Sequence, residues 1–89
     1  MLPVTVGDDE VLLACAGGSY YAVHNVCTHA GGWLDMGTLL SDTCEVQCPL
    51  HAGRFDLRTG APTHPPCVKP LKAYCVQVDG DEILIGPSK

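Results

Sequence analysis

The sequence predicts an all-β chain, in which antiparallel strands form a base and a smaller part made of loops and short strands stands on it. Short runs rich in apolar and β-branched residues recur towards both ends of the chain, separated by a glycine pair or an Asp-Gly pair. No stretch longer than two helical turns keeps a period of 3.6 residues. At 89 residues, the chain is long enough for one domain with one modest core.

The first part of the chain predicts a lead-in followed by a hairpin. Residues 1–10 end in an acidic run and indicate a lead-in, that is, a segment before the first strand, and a turn. The apolar run 11–15 and the β-forming stretch 19–26 are separated by Gly17-Gly18, which is typical of a β-hairpin. His24 lies within the second strand, where we expect it to have a structural or surface role.

A long loop is predicted next. Glycines punctuate residues 27–37, and glycine accepts the positive φ angles that a tightly wrapped backbone needs. We expect Trp33 to pack on the base of the domain or to shield the site that the loop forms. Leu39 and Leu40 are predicted to be core residues beneath the loop.

The following residues predict two short strands and a stiff connection. The strands are expected at residues 45–47 and 54–57, with a turn at 58–60. Residues 61–66 form a proline-rich loop, which loses little conformational entropy on ordering. His64, flanked by this proline-rich sequence, is expected to face solvent or a partner.

The C-terminal part contains the clearest hairpin of the chain. Residues 73–78 and 82–85 are rich in β-formers, and Asp79-Gly80 between them is a pair favoured in two-residue hairpin loops. The chain therefore predicts strands at both ends and a loop-rich centre.

Two short motifs in this centre each offer one thiolate and one imidazole: Cys27-Thr28-His29 and Cys48-Pro49-Leu50-His51. Zinc ligands are usually paired at wider spacing, so a C-x-H pair on one ion would be cramped. Two adjacent metal ions remove this difficulty, because the cysteines can bind one iron and the histidines the other, with sulfides bridging the two. That is the ligand set of a Rieske [2Fe–2S] centre.

The residues around these motifs resemble the two cluster-binding boxes of Rieske ferredoxins. The first box, CTHAGG, spans residues 27–32, and the second, CPLHAGRFDLRTG, spans residues 48–60. The resemblance covers residues from about 11 to about 85. Members of this family usually have a further strand before the region of Val4, so this edge of the sheet is expected to be missing or supplied differently.

The resemblance implies a fold, a cofactor and a site. The expected fold is the Rieske iron–sulfur fold, with a cluster-binding subdomain at about 27–66 and an antiparallel base at about 1–26 and 67–89. One [2Fe–2S] cluster per chain is implied, bound by Cys27, His29, Cys48 and His51, with no catalytic residue. The two histidines would then be the electron port, and also proton sites coupled to reduction.

The resemblance also implies partners. Rieske ferredoxins of multicomponent aromatic-ring dioxygenase systems receive electrons from a flavin-dependent ferredoxin reductase and pass them to a terminal oxygenase. The chain is expected to be a monomeric one-electron carrier and not itself an enzyme.

Two differences from high-potential members of the superfamily predict a low reduction potential. Those members have a disulfide between the two loops, at the positions that Gly32 and Leu50 occupy here. They also have serine and tyrosine hydroxyls that bond to cluster sulfurs, where this chain has Gly53 and Phe55. Fewer donors to sulfur stabilise the added electron less. The remaining donors are expected to be backbone N–H groups.

Composition narrows the function further. The net charge of −5 and five scattered basic residues argue against nucleic acid, whose binding depends on neutralising phosphates. No stretch approaches the length of about 20 apolar residues that spans a bilayer, and no signal peptide is visible, so a cytoplasmic location is expected. The remaining cysteines are expected to be reduced and buried or half-buried. They are Cys15, Cys44, Cys67 and Cys75.

Two alternatives remain open at this point. One is a component of an enzyme, either the Rieske domain of an oxygenase subunit or the small Rieske subunit of a nitrite reductase. The boxes depart from those of oxygenase Rieske domains at Ala30, Leu50 and Gly53, which disfavours the oxygenase subunit. The other is a structural zinc or redox-sensing module, which the four additional cysteines allow and the ligand spacing disfavours.

Overall fold

The computed structural model describes residues 1–28, 31–50 and 52–88. Within these residues, nine strands form two antiparallel sheets, and a short 3₁₀ helix spans Leu34–Met36. In chain order the strands are β1 Leu2–Val6, β2 Asp9–Ala16, β3 Ser19–His24, β4 Thr38–Leu40, β5 Glu45–Gln47, β6 Arg54–Asp56, β7 Pro62–His64, β8 Ala73–Asp79 and β9 Glu82–Ser88. The larger sheet has the order β1-β2-β3-β8-β9 and the smaller one β4-β5-β6-β7.

The predicted N-terminal hairpin is confirmed. β2 and β3 pair in antiparallel register from Val11 opposite His24 to Ala16 opposite Ser19. Both loop residues have positive φ, 59° at Gly17 and 80° at Gly18, which explains the glycine pair. The second strand ends at His24, two residues earlier than the predicted end at residue 26.

The prediction of a lead-in at residues 1–10 is wrong, because residues 2–6 form β1. This strand lies at the edge of the larger sheet and pairs with β2, from Leu2 opposite Leu13 to Val6 opposite Asp9. Val4 and Val6 pack against a small core of Val11, Ala22 and Tyr74. Val4 and Val6 alternate with exposed residues, as in a strand with one buried face, but the segment is short and contains proline, so this pattern is hard to recognise in the sequence. Proline is tolerated there because β1 is an edge strand.

The C-terminal hairpin is confirmed with a turn shifted by one residue. Asp79 pairs with Glu82, so the two-residue loop is Gly80-Asp81 and not the predicted Asp79-Gly80. Gly80 takes a φ of 61° at the first loop position, where a side chain would be strained.

One core joins the two sheets. Leu12, Val23 and Ala73 of the larger sheet belong to the same buried cluster as Val46 and Phe55 of the smaller one. Both strands predicted in the centre are present, as β5 and β6.

The predicted proline-rich loop instead contains β7, which is a correction of that prediction. This strand pairs with β6, with Arg54 opposite His64 and Phe55 opposite Pro62. β7 is an outer strand of the smaller sheet, and an outer strand can include proline because one side of it needs no ladder hydrogen bonds. The Pro65–Pro66 peptide bond that follows is cis.

The helix of the described residues, Leu34–Met36, is far too short to cross a membrane.

Candidate metal centre

The first predicted box forms a loop that is closed by its own backbone. The N–H of Cys27 donates to the carbonyl of Gly32 at 2.8 Å, and the N–H of Gly31 donates back to the carbonyl of Cys27 at 3.0 Å. Gly31 has a φ of 70°, as expected for a glycine at a tight reversal. Both polar backbone groups of Cys27 are therefore satisfied inside the loop.

The second box closes in the same way. The N–H of Cys48 donates to the carbonyl of Gly53 at 2.7 Å, and that of Ala52 donates to the carbonyl of Cys48 at 3.2 Å. Ala52 takes a φ of 59°, although it is not glycine. In both loops the bonding partners are thus five and four residues after the cysteine. The loops are equivalent in backbone, while the histidines stand two residues after Cys27 and three after Cys48 in the sequence.

Asn25 connects the first loop to the larger sheet. Its buried side chain donates from Nδ2 to Asp35 Oδ1 at 2.7 Å and accepts the N–H of Asp35 on Oδ1 at 3.0 Å. Its carbonyl accepts the N–H of Leu34 at 2.7 Å. The chain that leaves β3 and the chain that returns from the loop are therefore held together. Asn25 is not recognisable as part of the site from the sequence, because its role depends on pairing with a residue ten positions away.

Two strands of the smaller sheet position the second loop. β5 ends immediately before Cys48 and β6 begins immediately after Gly53, with Gln47 opposite Arg54 at the base of the loop. Arg54 Nε donates to Gln47 Oε1 at 3.1 Å, so the base is closed by side chains as well as by the ladder. Val46 and Phe55, the next pair along, are fully buried.

The two loops meet face to face. A Cβ atom built on Gly32 would lie 2.9 Å from Leu50 Cδ1 and 3.7 Å from Cys48 Sγ. Gly32 and Leu50 therefore adjoin, with the leucine side chain in the space between the two loops. Gly32 does not need positive φ; a Cβ at this position would require the Leu50 side chain to shift.

The predicted thiol ligands are buried at this contact. Cys27 and Cys48 are each 2% exposed. Cys67 joins them: its Sγ lies 3.9 Å from Cys27 Sγ, and a Cβ on Gly53 would overlap the Cys67 sulfur. Burial, and secondarily Cys27 and Cys48, raise the pKa of Cys67 to about 12. The predicted ligands His29 and His51 lie outside the described residues.

The four other cysteines do not share one environment. Cys67 is buried and Cys44 is half-buried, as predicted, and none of the four forms a disulfide. Cys15 and Cys75 are exposed, so the prediction that they are buried or half-buried is wrong. Alternation along the strand is the reason, because Cys15 points away from the core on which its neighbours Ala14 and Ala16 pack.

Three large apolar side chains that belong to the two loops or follow Cys67 in the chain are exposed, and we call them the apolar rim. Trp33 is 49% exposed, Leu50 is 56% exposed and Val68 is 77% exposed. They belong to the first loop region, the second loop and the segment after Cys67. The exposure of Trp33 shows that it is not enclosed by the base of the domain. His64 is exposed, as predicted.

This donor set fits an iron–sulfur cluster held between the loops. Two thiols, buried on opposing loops that approach closely, can bind one iron, while their backbone polar groups are already satisfied.

Comparison with known proteins gives a consistent result. The family model for the Rieske [2Fe-2S] domain matches residues 1–75. The ferredoxin component of the naphthalene 1,2-dioxygenase system of Pseudomonas aeruginosa is 38% identical over 85 residues, covering 96% of this chain and 80% of that protein. The ferredoxin of carbazole 1,9a-dioxygenase from Nocardioides aromaticivorans IC177 superimposes with a TM-score of 0.93 at 52% identity, covering 97% of this chain and 83% of the other.

A second solved structure similar to this chain contains a ferredoxin and an oxygenase together. It is a complex of reduced oxygenase and oxidised ferredoxin in carbazole 1,9a-dioxygenase, with a TM-score of 0.87 and 34% identity over 96% of this chain and 78% of that one. Two equivalent loops with buried thiols, a two-sheet fold and these similarities agree: the chain belongs to the Rieske [2Fe–2S] domain family and is a ferredoxin-type electron carrier with one [2Fe–2S] cluster.

Proposed function

We propose that Cys27 and Cys48 bind one iron of the cluster and that His29 and His51 bind the other. The observation that carries this proposal is the equivalence of the two loops, which bring Cys27 and Cys48 to one buried contact. The bound cluster accepts and releases one electron. The protein holds the thiolates away from water and leaves the apolar rim at the surface beside them.

The electron passes from a flavin-dependent ferredoxin reductase to the terminal oxygenase of an aromatic-ring dioxygenase system. The names of the similar proteins support this assignment, as does the solved complex of a similar ferredoxin with its oxygenase. The apolar rim supports it from the structure, because exposed aromatic and aliphatic side chains beside a redox centre suit a transient interface. The net charge of −5 favours partners with basic patches.

The remaining features of the proposal follow from this role. The chain performs no catalytic step on a substrate, works as a cytoplasmic monomer, and has a potential at the low end of the Rieske range. Residues 27–66 act as the cluster-binding subdomain on a base of residues 1–26 and 67–89. The two sheets, joined by one core, support that division.

The ligand assignment is tested by removing each histidine. His29→Ala and His51→Ala are expected to lose most of the bound iron and the visible absorption, whereas His24→Ala and His64→Ala retain both, because neither control residue belongs to the two loops. The reduced wild-type protein should show an electron paramagnetic resonance signal whose average g is below that of a four-cysteine cluster. Full iron content and an unchanged signal in either loop variant would contradict the assignment.

The docking proposal is tested with a matched pair of valines. Val68→Ser removes an apolar side chain beside the thiols, and Val78→Ser removes one of the same kind near the C-terminal hairpin turn. The first is expected to raise the KM of a dioxygenase system for this ferredoxin by about five-fold, the effect of losing about 1 kcal/mol at an interface. The second is expected to leave KM unchanged. Equal effects of the two substitutions would exclude the apolar rim as the contact surface.

A further inference from the structure

We propose that Cys67, which is not one of the expected ligands, donates an S–H···S hydrogen bond to the sulfur of Cys27 and thereby raises the reduction potential of the bound cluster. This inference rests on the proposed role of Cys27 as a ligand. It adds a side-chain donor to a centre at which the sequence predicts backbone donors alone.

The geometry places the two sulfurs within hydrogen-bonding distance. Cys67 Sγ lies 3.9 Å from Cys27 Sγ, and both side chains are buried. In the protein without metal, either thiol can be the donor. Once Cys27 binds iron as a thiolate, its sulfur carries no proton and can only accept, so Cys67 must supply the hydrogen.

Cys67 is held in this position from two sides. The backbone of Gly53 packs so closely on its sulfur that a Cβ on Gly53 would overlap it. On the other side, the hydroxyl of Thr28 donates to the carbonyl of Lys69 at 2.8 Å, which connects the first loop to the segment that carries Cys67. A movement of Cys67 away from Cys27 would disturb contacts with both cluster-binding loops.

Four of the described backbone donors near the thiols are already engaged within the loops. The N–H groups of Cys27, Gly31, Cys48 and Ala52 all donate to carbonyls within their own loops.

The effect on the potential has a definite sign. Reduction adds one negative charge to the cluster, and that charge is shared by the ligand sulfurs. A hydrogen bond to a ligand sulfur stabilises the reduced state more than the oxidised state, which raises the potential. The bond also lies in a buried environment, where an electrostatic interaction is stronger than in water.

Three variants of the cluster-loaded protein test this role. Cys67→Ala removes the donor, Cys67→Ser keeps a donor on a shorter side chain, and Cys75→Ala removes an exposed thiol on β8 as a matched control. For each one, we would measure the midpoint potential by a redox titration followed by electron paramagnetic resonance, together with the average g of the reduced state.

The expected result is a potential below that of the wild type in Cys67→Ala, restored to or above the wild-type value in Cys67→Ser and unchanged in Cys75→Ala. The average g should be the same in all four proteins. A wild-type potential in Cys67→Ala would overturn the proposal, as would a potential below wild type in Cys67→Ser. If Cys67→Ala fails to bind a cluster, the serine variant still decides the question.

The same spectra separate this inference from the ligand assignment. A changed average g in Cys67→Ala would mean that Cys67 itself binds iron, which would overturn both the hydrogen bond and the proposed ligand set. An unchanged Rieske-type signal with an unchanged potential would overturn the hydrogen bond alone.

Discussion

Asn25 shows how one side chain supports the whole first loop. It is the buried polar residue of the described core, and its amide bonds to both the carboxylate and the backbone N–H of Asp35. Removing a buried amide leaves its hydrogen-bonding partners unsatisfied. This lowers the stability of the protein more than the same change at the surface, because water does not replace the lost bonds. The position of Cys27, two residues later, therefore depends on a residue that does not touch metal in the proposed site.

Asn25→Ala is expected to lower the free energy of unfolding by about 2 kcal/mol, since it leaves the Asp35 groups without these bonds. It should also speed the release of iron to a chelator, because the first loop is less well held. Thr5→Ala is the control: it removes an exposed hydrogen bond to Glu10 and is expected to change stability by less than about 0.5 kcal/mol. Denaturation and iron-release measurements compare the two. Equal rates of iron release would contradict this role for Asn25.

At the scale of one element, the turn after β6 explains the sequence FDLRTG. Asp56 Oδ1 accepts the backbone N–H of Arg58 at 2.7 Å, and the Arg58 guanidinium bonds to the same carboxylate. These bonds, first of all the one from the Arg58 side chain, lower the pKa of Asp56. The N–H of Gly60 returns to the carbonyl of Asp56 at 2.7 Å. The motif is therefore a turn that ends β6 and sends the chain into β7.

Gly60 occupies the most demanding position of this turn. Its φ is 81°, and a Cβ there would overlap the carbonyl oxygen of Leu71. Because that oxygen belongs to the backbone, only a shift of the backbone could relieve the overlap. Gly60→Ala is expected to lower the free energy of unfolding by about 3 kcal/mol, from the left-handed backbone and the overlap together. Thermal or chemical denaturation measures this loss.

Gly80→Ala provides the matched control for that substitution. Gly80 also has positive φ, 61°, but a Cβ there would meet nothing within 4 Å. Its cost is expected to be about 1 kcal/mol, from the backbone conformation alone. Equal losses in the two variants would show that the contact with Leu71 contributes nothing.

At the scale of the whole molecule, one polar contact ties the start of β2 to β8 across the larger sheet. Asp9 Oδ2 accepts the hydroxyl of Tyr74 at 2.9 Å and lies 3.3 Å from the Lys72 ammonium. The Tyr74 hydrogen bond, and then Lys72, lower the pKa of Asp9 below its usual value of 3.8. Burial, and then the bond to Asp9, raise the pKa of Tyr74 to about 12. The contact is therefore sensitive to pH at both extremes.

This contact predicts how stability depends on pH. A lowered carboxyl pKa adds stability that is present above 3.8 and is lost as the pH falls through the folded-state value. The raised tyrosine pKa adds stability that is present below 10 and is lost as the pH rises towards 12. Asp9→Asn is expected to be less stable than the wild type at pH 7 and to approach it under strongly acidic conditions. Denaturation curves across this range measure the difference.

Tyr74→Phe supplies the comparison for Asp9→Asn, because it removes the other side of the same hydrogen bond. The double variant should lose little more stability than either single variant, since the two residues share one interaction. Fully additive losses would mean that the bond between Asp9 and Tyr74 is not what the substitutions remove.

Much of the fold was predictable, because the hairpins depend on local signals. Gly17-Gly18 and the residues near Gly80 mark turns that the flanking β-formers support. β1 and β7 were missed because each is a short edge strand containing proline, for which local preference is weak and pairing decides. The burial of Cys15 was predicted wrongly because a continuous apolar run does not show which face of a strand meets the core.

Only part of the candidate site was predictable from the sequence. Cys27 and Cys48 were recognisable from their motifs, and the structure brings them together. Cys67 was not recognisable as part of the site, because its place beside Cys27 depends on the meeting of segments 40 residues apart. No local pattern carries that information, which arises only when both sheets share one core.

The matching closure of the two cysteine loops bears on the speed of electron exchange. Each loop is held by its own pair of backbone hydrogen bonds, so the sheets and loops, and not the iron, set where Cys27 and Cys48 lie. In the proposed site, thiolate ligands held in this way would have little freedom to move when the iron changes its valence. The nuclear rearrangement that accompanies each electron transfer would then be small. A carrier that accepts and releases an electron repeatedly would gain rate from this rigidity without any gain in driving force.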